Sequence, residues 1–445
     1  MTHPSATFSA RRAFIDGAFV PATVRVVDGV IAAIEPFDPA ADTVLPDDAV
    51  LLPGLVDSHV HLNDPGRTEW EGFVTGTAAA AAGGVTTVLD MPLNSIPVTT
   101  TPAALAAKRA AAAGALAVDV GYWGGAVPEN LGSLRELGAA GVVGFKCFLL
   151  PSGIDEFGYL DPAQLAQAMT ELAAFDGLLI VHAEDPAHIH GEGALGRHYA
   201  DFLASRPAAS ERSAIQRVID TMRRTGARAH IVHVSDGEAL DDVRAAKAEG
   251  LRLTVETCPH YLTLDAEHVP DGAASFKCCP PIRDRANQDL LWAGVLDGTI
   301  DAIVSDHSPS TAELKDPDFG LAWGGISGLQ TGLAAIHTAA RSRDIPFVQI
   351  LPLLTTGPAR IGGLAGRGVI APGAPAHLVE FAPDERFVVD AARLEYRNKL
   401  SPWDGQALVG AVRTTYLRGE AVYRRGEDVS IRHGLELIAS AEEQQ

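Results

Sequence analysis

Four histidines, a lysine and an aspartate carry the chemistry this chain could do: His59, His61, Lys146, His182, His233 and Asp306. His59 and His61 sit two apart in the apolar run Gly54–Leu62. Alternate residues of a strand face the same side, so both imidazoles can meet one ion. A lone His-x-His says little, since histidine serves many roles. The other four residues come from separate segments: Gly144-Phe-Lys-Cys-Phe148, Ile180-Val-His-Ala-Glu184, His230-Ile-Val-His-Val-Ser235 and Val304-Ser-Asp-His-Ser-Pro309. Each has a plain alternative: a core histidine bonded to backbone, a lysine at a strand end, a capping aspartate. The joint pattern outweighs these, because imidazole and carboxylate are the donors that zinc-like divalent ions take.

Lys146 needs a further step. An ammonium with a pKa of about 10.4 cannot ligate a cation. Deprotonated and joined to carbon dioxide, it becomes a carbamate whose two oxygens could bridge two metal ions, most simply Zn2+. Each ion would be held by two histidines, with Asp306 completing one. The expected chemistry is hydrolysis. A bridging hydroxide is available because a metal lowers the pKa of its water to about 7. It would attack an amide-type carbonyl, with Asp306 taking the proton and passing it to the leaving nitrogen, while the metals stabilise the oxyanion.

These residues need a frame that brings them together. Apolar runs recur at 55–62, 85–91, 118–123, 142–148, 178–182, 229–234, 253–257 and 302–305, separated mostly by alanine-rich or amphipathic stretches. Thr75–Ala82 runs into Gly83-Gly84 as a helix C-terminus does. Thr101-Pro102 and Asp161-Pro162 open two further helices with a cap and a proline in the first turn, and Glu238–Glu249 is another. Eight strand-like runs alternating with helices predict an α/β fold, a (β/α)8 TIM-type barrel, whose strand C-terminal ends converge on one site. The ends of the chain differ. Residues 1–53 and 365–445 hold short alternating strands, Asp-Gly hairpin turns and Gly/Pro punctuation. Neither forms a core alone, so the two are expected to build one small β-sandwich beside a barrel of residues 54–364. The tail after Gly426 is expected to be peripheral.

The 56 acidic against 35 basic residues give a formal charge of −21. That argues against nucleic acid or an anionic membrane as partner. Four cysteines without a Cys-x-x-Cys spacing fit a reducing cytoplasm. Asp16 and Gly17 interrupt the first segment, so no signal peptide is expected. No apolar run reaches the roughly 18 residues of a membrane span.

The ligand pattern resembles the cyclic amidohydrolases of the amidohydrolase superfamily, a group that includes dihydroorotases, dihydropyrimidinases (hydantoinases) and allantoinases. The resemblance covers nearly the whole chain. It implies a binuclear metal centre with a carboxylated lysine at Lys146, and a homo-oligomer, often a tetramer. The segments Asp64-Pro-Gly-Arg-Thr-Glu-Trp-Glu-Gly72, Thr75-Gly-Thr77, Asp90-Met-Pro-Leu-Asn94, Cys258-Pro-His-Tyr261, Pro280-Pro-Ile-Arg-Asp284 and Trp323-Gly-Gly-Ile326 are together most similar to the allantoinase branch. Where dihydroorotases place an arginine for the substrate carboxylate, this chain has Asn63. A neutral cyclic ureide therefore fits better than an anionic ring, with Arg67 the one residue that could restore the charge. The substrate contacts expected are Asn63, Asn94, Cys279 and Ser308, and Pro309–Trp323 is a candidate lid. The alternatives are a hydantoinase or dihydropyrimidinase acting on other cyclic ureides, and a noncatalytic assembly protein that had lost its ligands. His188, His190 and His198 could form a second metal site, though a solvated loop explains them more simply. His377 replaces a frequent aspartate of the relatives, with no catalytic consequence expected.

Overall fold

A computed structural model describes residues 5–191, 193–427, 429 and 432–438. The N-terminal strands are β1 (Ala6–Ile15), β2 (Ala18–Val27), β3 (Val30–Glu35), β4 (Thr43–Val44) and β5 (Val50–Pro53). Both expected hairpins form. Asp16-Gly17 and Asp28-Gly29 adopt positive φ at both positions, the backbone that two-residue turns with right-handed strand twist require.

The barrel strands follow: β6 (Leu55–Val60), β7 (Val85–Asp90), β8 (Asp119–Tyr122), the short β9 (Gly124–Gly125), β10 (Phe145–Phe148), β11 (Leu178–His182), β12 (Arg228–Ile231), β13 (Leu253–Thr257) and β14 (Ala302–Ile303). Parallel pairing runs β6-β7-β8 in one arc and β9-β10-β11-β12-β13-β14 in the other. Val143 N donates to Tyr122 O at one junction, and His61 N donates to His307 O at the other. The ring is thereby closed.

Alternation along the strands sorts the core into layers. In β11, Leu179 and Val181 join the cluster between strands and helices. Leu178 and Ile180 join the cluster that also holds Leu89, Phe148, Ala302 and Val304. His182 shares the parity of Ile180, so it belongs to the inner face. Lys146 likewise alternates with the outward Phe145 and Cys147.

The expected helices are present. Phe73–Ala82 ends on Gly83. In Pro102–Ala112 the Thr101 hydroxyl accepts from Ala104 N. Pro162–Ala173 is capped by Asp161 in a reciprocal box with Gln164. The helix expected over Glu238–Glu249 spans Leu240–Ala248.

The C-terminal strands are β15 (Leu378–Val388), β16 (Ala407–Leu417) and β17 (Glu420–Arg424). They unite with the N-terminal set in the order β17-β16-β15-β5-β1-β2-β3, with β4 on β1. Phe8 of β1 and Tyr416 of β16 are not on neighbouring strands, yet their rings lie 4.9 Å apart. The sheet thus folds over its own core, which also includes Val24, Ile31 and Leu378, as a sandwich must. One expectation fails. The described tail residues are not peripheral: Leu437 N donates to Val120 O, and Val120 N donates to Leu435 O. The apolar residues Leu435 and Leu437 bring a β-like edge onto β8, a pattern hidden behind the polar residues around them.

Candidate metal centre

Besides β6, which ends at Val60 just before His61, two of the expected strands stop short of their functional residues. β12 ends at Ile231, before His233, and β14 ends at Ile303, before Asp306. Both residues have φ near +42°, a left-handed backbone that no strand accommodates. Asn63 and Asn94 are also left-handed, at φ +62° and +67°. Each such residue costs about 1–3 kcal/mol and persists only where its surroundings hold it.

All six ligand-type side chains line one cavity of about 230 Å³. His59 Nε2 lies 3.1 Å and His61 Nε2 3.7 Å from Asp306 Oδ1. The His233 ring is 5.4 Å from that of His59 and 4.5 Å from that of His182. Donor atoms of His59, His233 and Asp306 all fall within 4.8 Å of one another, and among the described residues His233 Nδ1 has no hydrogen-bond partner. Buried imidazole and carboxylate donors this close suit a divalent ion. Cys258 and His260 could form another such group, but only by sharing Asp306. A larger hollow, about 480 Å³, lies at the seam near Gln330 and Tyr423 and contains none of the six.

Burial sets the protonation of the site. It pushes His61 and His233 well below the usual imidazole pKa, helped by neighbouring positive groups. It takes His182 to about 4 against the opposing pull of Glu184. Neutral imidazoles are what a metal needs. Burial also lowers Lys146 to about 8, although Asp306 and Glu256 oppose it, and it raises Asp306 against His59 and Lys146. The Lys146 Nζ sits 5.1 Å from the centre of the Phe148 ring.

Three carboxylates that were not singled out beforehand hold the ligands in place. Glu256 of β13 has one oxygen 2.5 Å from His59 Nδ1 and the other 2.9 Å from His230 Nε2. Glu184 lies 2.8 Å from His182 Nε2 and accepts from Arg206. Asp57 accepts from His59 N and Ser305 N, stapling β6 to the segment after β14. Glu184 follows His182 by two residues and Asp57 precedes His59 by two, a local signal that Glu256, between Val255 and Thr257, lacks.

Of the expected substrate contacts, Asn94, Cys279 and Ser308 line the cavity. Asn94 Nδ2 is 3.4 Å from His61 Nδ1. Asn63 does not line it: this buried side chain donates to Pro309 O at 3.3 Å. Arg67 donates to Asn94 O and Glu156 and is absent from the lining. Lys277 and Arg206, not foreseen as site residues, do line it, as does Trp323, the last residue of the candidate lid. Among the described residues, His188, His190 and His198 belong to no metal-type cluster. His198 instead meets Asp271 in an exposed pair. His377 lies near Asp119 at the seam between barrel and sandwich.

A TIM-type barrel beside a β-sandwich, with buried side chains at its strand ends that could hold a metal ion, belongs to a hydrolase acting on cyclic amides. The chain belongs to the amidohydrolase family, whose model matches residues 50–422. It is 55% identical over 412 residues to an allantoinase of Streptomyces avermitilis, covering 92% of this chain and 93% of that one. An allantoinase of Saccharomyces cerevisiae is 45% identical over 85% of this chain and 84% of its own. Among solved structures, the L-hydantoinase (dihydropyrimidinase) of Arthrobacter aurescens superposes with a TM-score of 0.89 at 29% identity, covering 97% of this chain and all of that one.

Proposed function

We propose that this enzyme hydrolyses the hydantoin ring of allantoin to allantoate. The observation that carries the reading is the convergence of all six ligand-type residues on one buried cavity, in a chain more than half identical to an allantoinase over most of its length. His59, His61, His182, His233 and Asp306 would hold two divalent ions, zinc first among the candidates. Lys146, carboxylated by carbon dioxide with loss of a proton, would supply carbamate oxygens to the same ions. When bound, the ions supply a polarised carbonyl and a water acidic enough to act as nucleophile near neutral pH.

The chain's own groups do the rest. Glu256 and Glu184 fix the imidazole planes, so the ligand nitrogens are set before substrate arrives. Asp306 takes the proton from the nucleophile and returns it to the ring nitrogen as the carbon–nitrogen bond breaks, leaving a carboxylate and a free ureide nitrogen. Asn94, Ser308 and Cys279 touch the ring, while Asn63 acts through the Pro309 carbonyl it supports.

A hydantoinase or dihydropyrimidinase is the second reading, favoured by the close superposition on an L-hydantoinase. Metal analysis paired with assays on allantoin, hydantoin, dihydrouracil and dihydroorotate separates the two. Metal-loaded protein that opens dihydrouracil but leaves allantoin intact rules out the first. A homotetramer in the cytoplasm completes the proposal, to be checked by sedimentation and cell fractionation. No described helix is long and apolar enough to cross a membrane.

A further inference from the structure

The cavity has one charged group that neither the metal ligands nor their supports employ. Lys277 is buried, 7% exposed, and lines the same wall as Trp323. An ammonium carries three donors. Among the described residues Lys277 Nζ uses one, on Ala322 O at 2.5 Å, and otherwise rests 5.1 Å from the centre of the Phe202 ring. A buried charge with unspent donors is costly unless something satisfies it. Lys277 is also part of the cavity lining, so a ligand there is a candidate partner for the remaining donors.

Trp323 forms the adjoining surface. Its ring packs edge-on against Trp70 at 5.1 Å, and a Cβ at Gly153 would come within 3.3 Å of it, so the indole is wedged between two loops. Its backbone is equally fixed: Trp323 N donates to Leu314 O, while Lys315 Nζ donates to Trp323 O and Gly325 O. The wall is therefore a rigid flat aromatic surface next to an ammonium. That pairing suits a planar group with a carbonyl oxygen. Allantoin differs from plain hydantoin by such a group, the ureido substituent on the ring.

We propose that Lys277 and Trp323 form a subsite for the exocyclic ureido group, with Lys277 donating to its carbonyl oxygen and Trp323 covering its flat face. Lys315 is a positioning residue that keeps the Trp323 backbone in place. This inference rests on the allantoin reading and adds the specificity determinant for it.

The test uses the metal-loaded enzyme with allantoin as substrate and hydantoin as competing ligand. In Lys277→Met the KM for allantoin is expected to rise tenfold to a hundredfold, about 1.4–2.7 kcal/mol, with kcat changed less than about threefold. The inhibition constant of hydantoin, which lacks the ureido group, and the metal content should stay as in the parent. An unchanged KM for allantoin overturns the proposal, as does equal weakening of allantoin and hydantoin. A subsite for a carboxylate instead would appear as parent turnover of dihydroorotate exceeding that of allantoin, and would also overturn it. If Lys277→Met fails to fold, Lys277→Gln keeps a donor for Ala322 and carries the same expectation. Failure of the parent enzyme to open allantoin at all sinks the functional reading itself, a different result from a parent that is active and a variant that is unaffected.

Discussion

Glu256 holds His59 from across the barrel, its Oε1 2.5 Å from His59 Nδ1. The two residues are 197 positions apart in the chain. Burial alone would raise the Glu256 carboxyl, but His59 and His230 outweigh it and hold it at about 2. The carboxylate thus remains charged and directs His59 Nε2 toward Asp306. Glu256→Gln preserves volume and removes that charge. Metal affinity is expected to fall about tenfold to a hundredfold, as for other outer partners of metal-bound histidines. Competition with a chromophoric chelator measures it, and parental affinity in the variant would refute the orienting role.

Lys146→Ala should remove metal and activity together. Loss of the bridge is expected to exceed the effect of an outer partner, with kcat/KM down more than about a hundredfold. Elemental analysis of the purified variant, read beside the assay, checks both. Full activity would end the carbamate proposal.

Asp119 ties barrel to sandwich. It accepts from Arg367 at 2.6 Å and from Arg418 at 2.9 Å. Burial alone would raise its pKa, but His377 and the two guanidiniums outweigh burial and lower it. A carboxylate depressed on folding stabilises fully above its unfolded pKa of about 3.9, and the contribution is lost as pH falls through the lower folded value. Asp119→Asn leaves two buried guanidiniums short of a partner and should cost about 3–5 kcal/mol at neutral pH. Urea unfolding across a pH series should show the gap to the parent narrowing below about pH 4. A gap that widens in acid contradicts the assignment.

Gly325 has φ +136°, and a Cβ there would stand 2.1 Å from Ser308 O. Gly325→Ala must push Ser308 into or away from the cavity. Misplacement of about 1 Å in a positioning group can cost about a hundredfold in rate, so kcat/KM should drop by tenfold or more while metal content holds. Steady-state kinetics with metal analysis decides, and unimpaired kcat/KM would show the wall to be more yielding than its geometry implies.

The sequence pattern made the barrel legible because strand runs, caps and Asp-Gly turns are local signals. The candidate ligands were legible because histidine, lysine and aspartate at strand ends are rare together. Distances in space were not. Nothing near Glu256 in the chain announces His59, and nothing near Lys277 announces Trp323. Asn63 illustrates the reverse: its place after His61 suggested substrate contact, but its left-handed backbone carries the amide to Pro309. The ends of β12 and β14 were overextended because apolar residues continue past the point where His233 and Asp306 turn the backbone.

The joint between β5 and β6 has a consequence for biosynthesis. β5 pairs with β15, from Pro53 opposite Leu378 to Val50 opposite Phe381, and β6, which carries His59, begins one residue after β5 ends. The sheet edge that anchors this first ligand strand is therefore unpaired until more than three hundred further residues have been made. An exposed edge is a template for association with other chains, and contacts this distant in sequence form slowly. A nascent chain halted before β15 would have β6 paired with β7 and β5 with β1, but would leave the other edge of β5 open to a neighbouring copy. The last strands of the protein thus cover an edge that stays open through most of its synthesis.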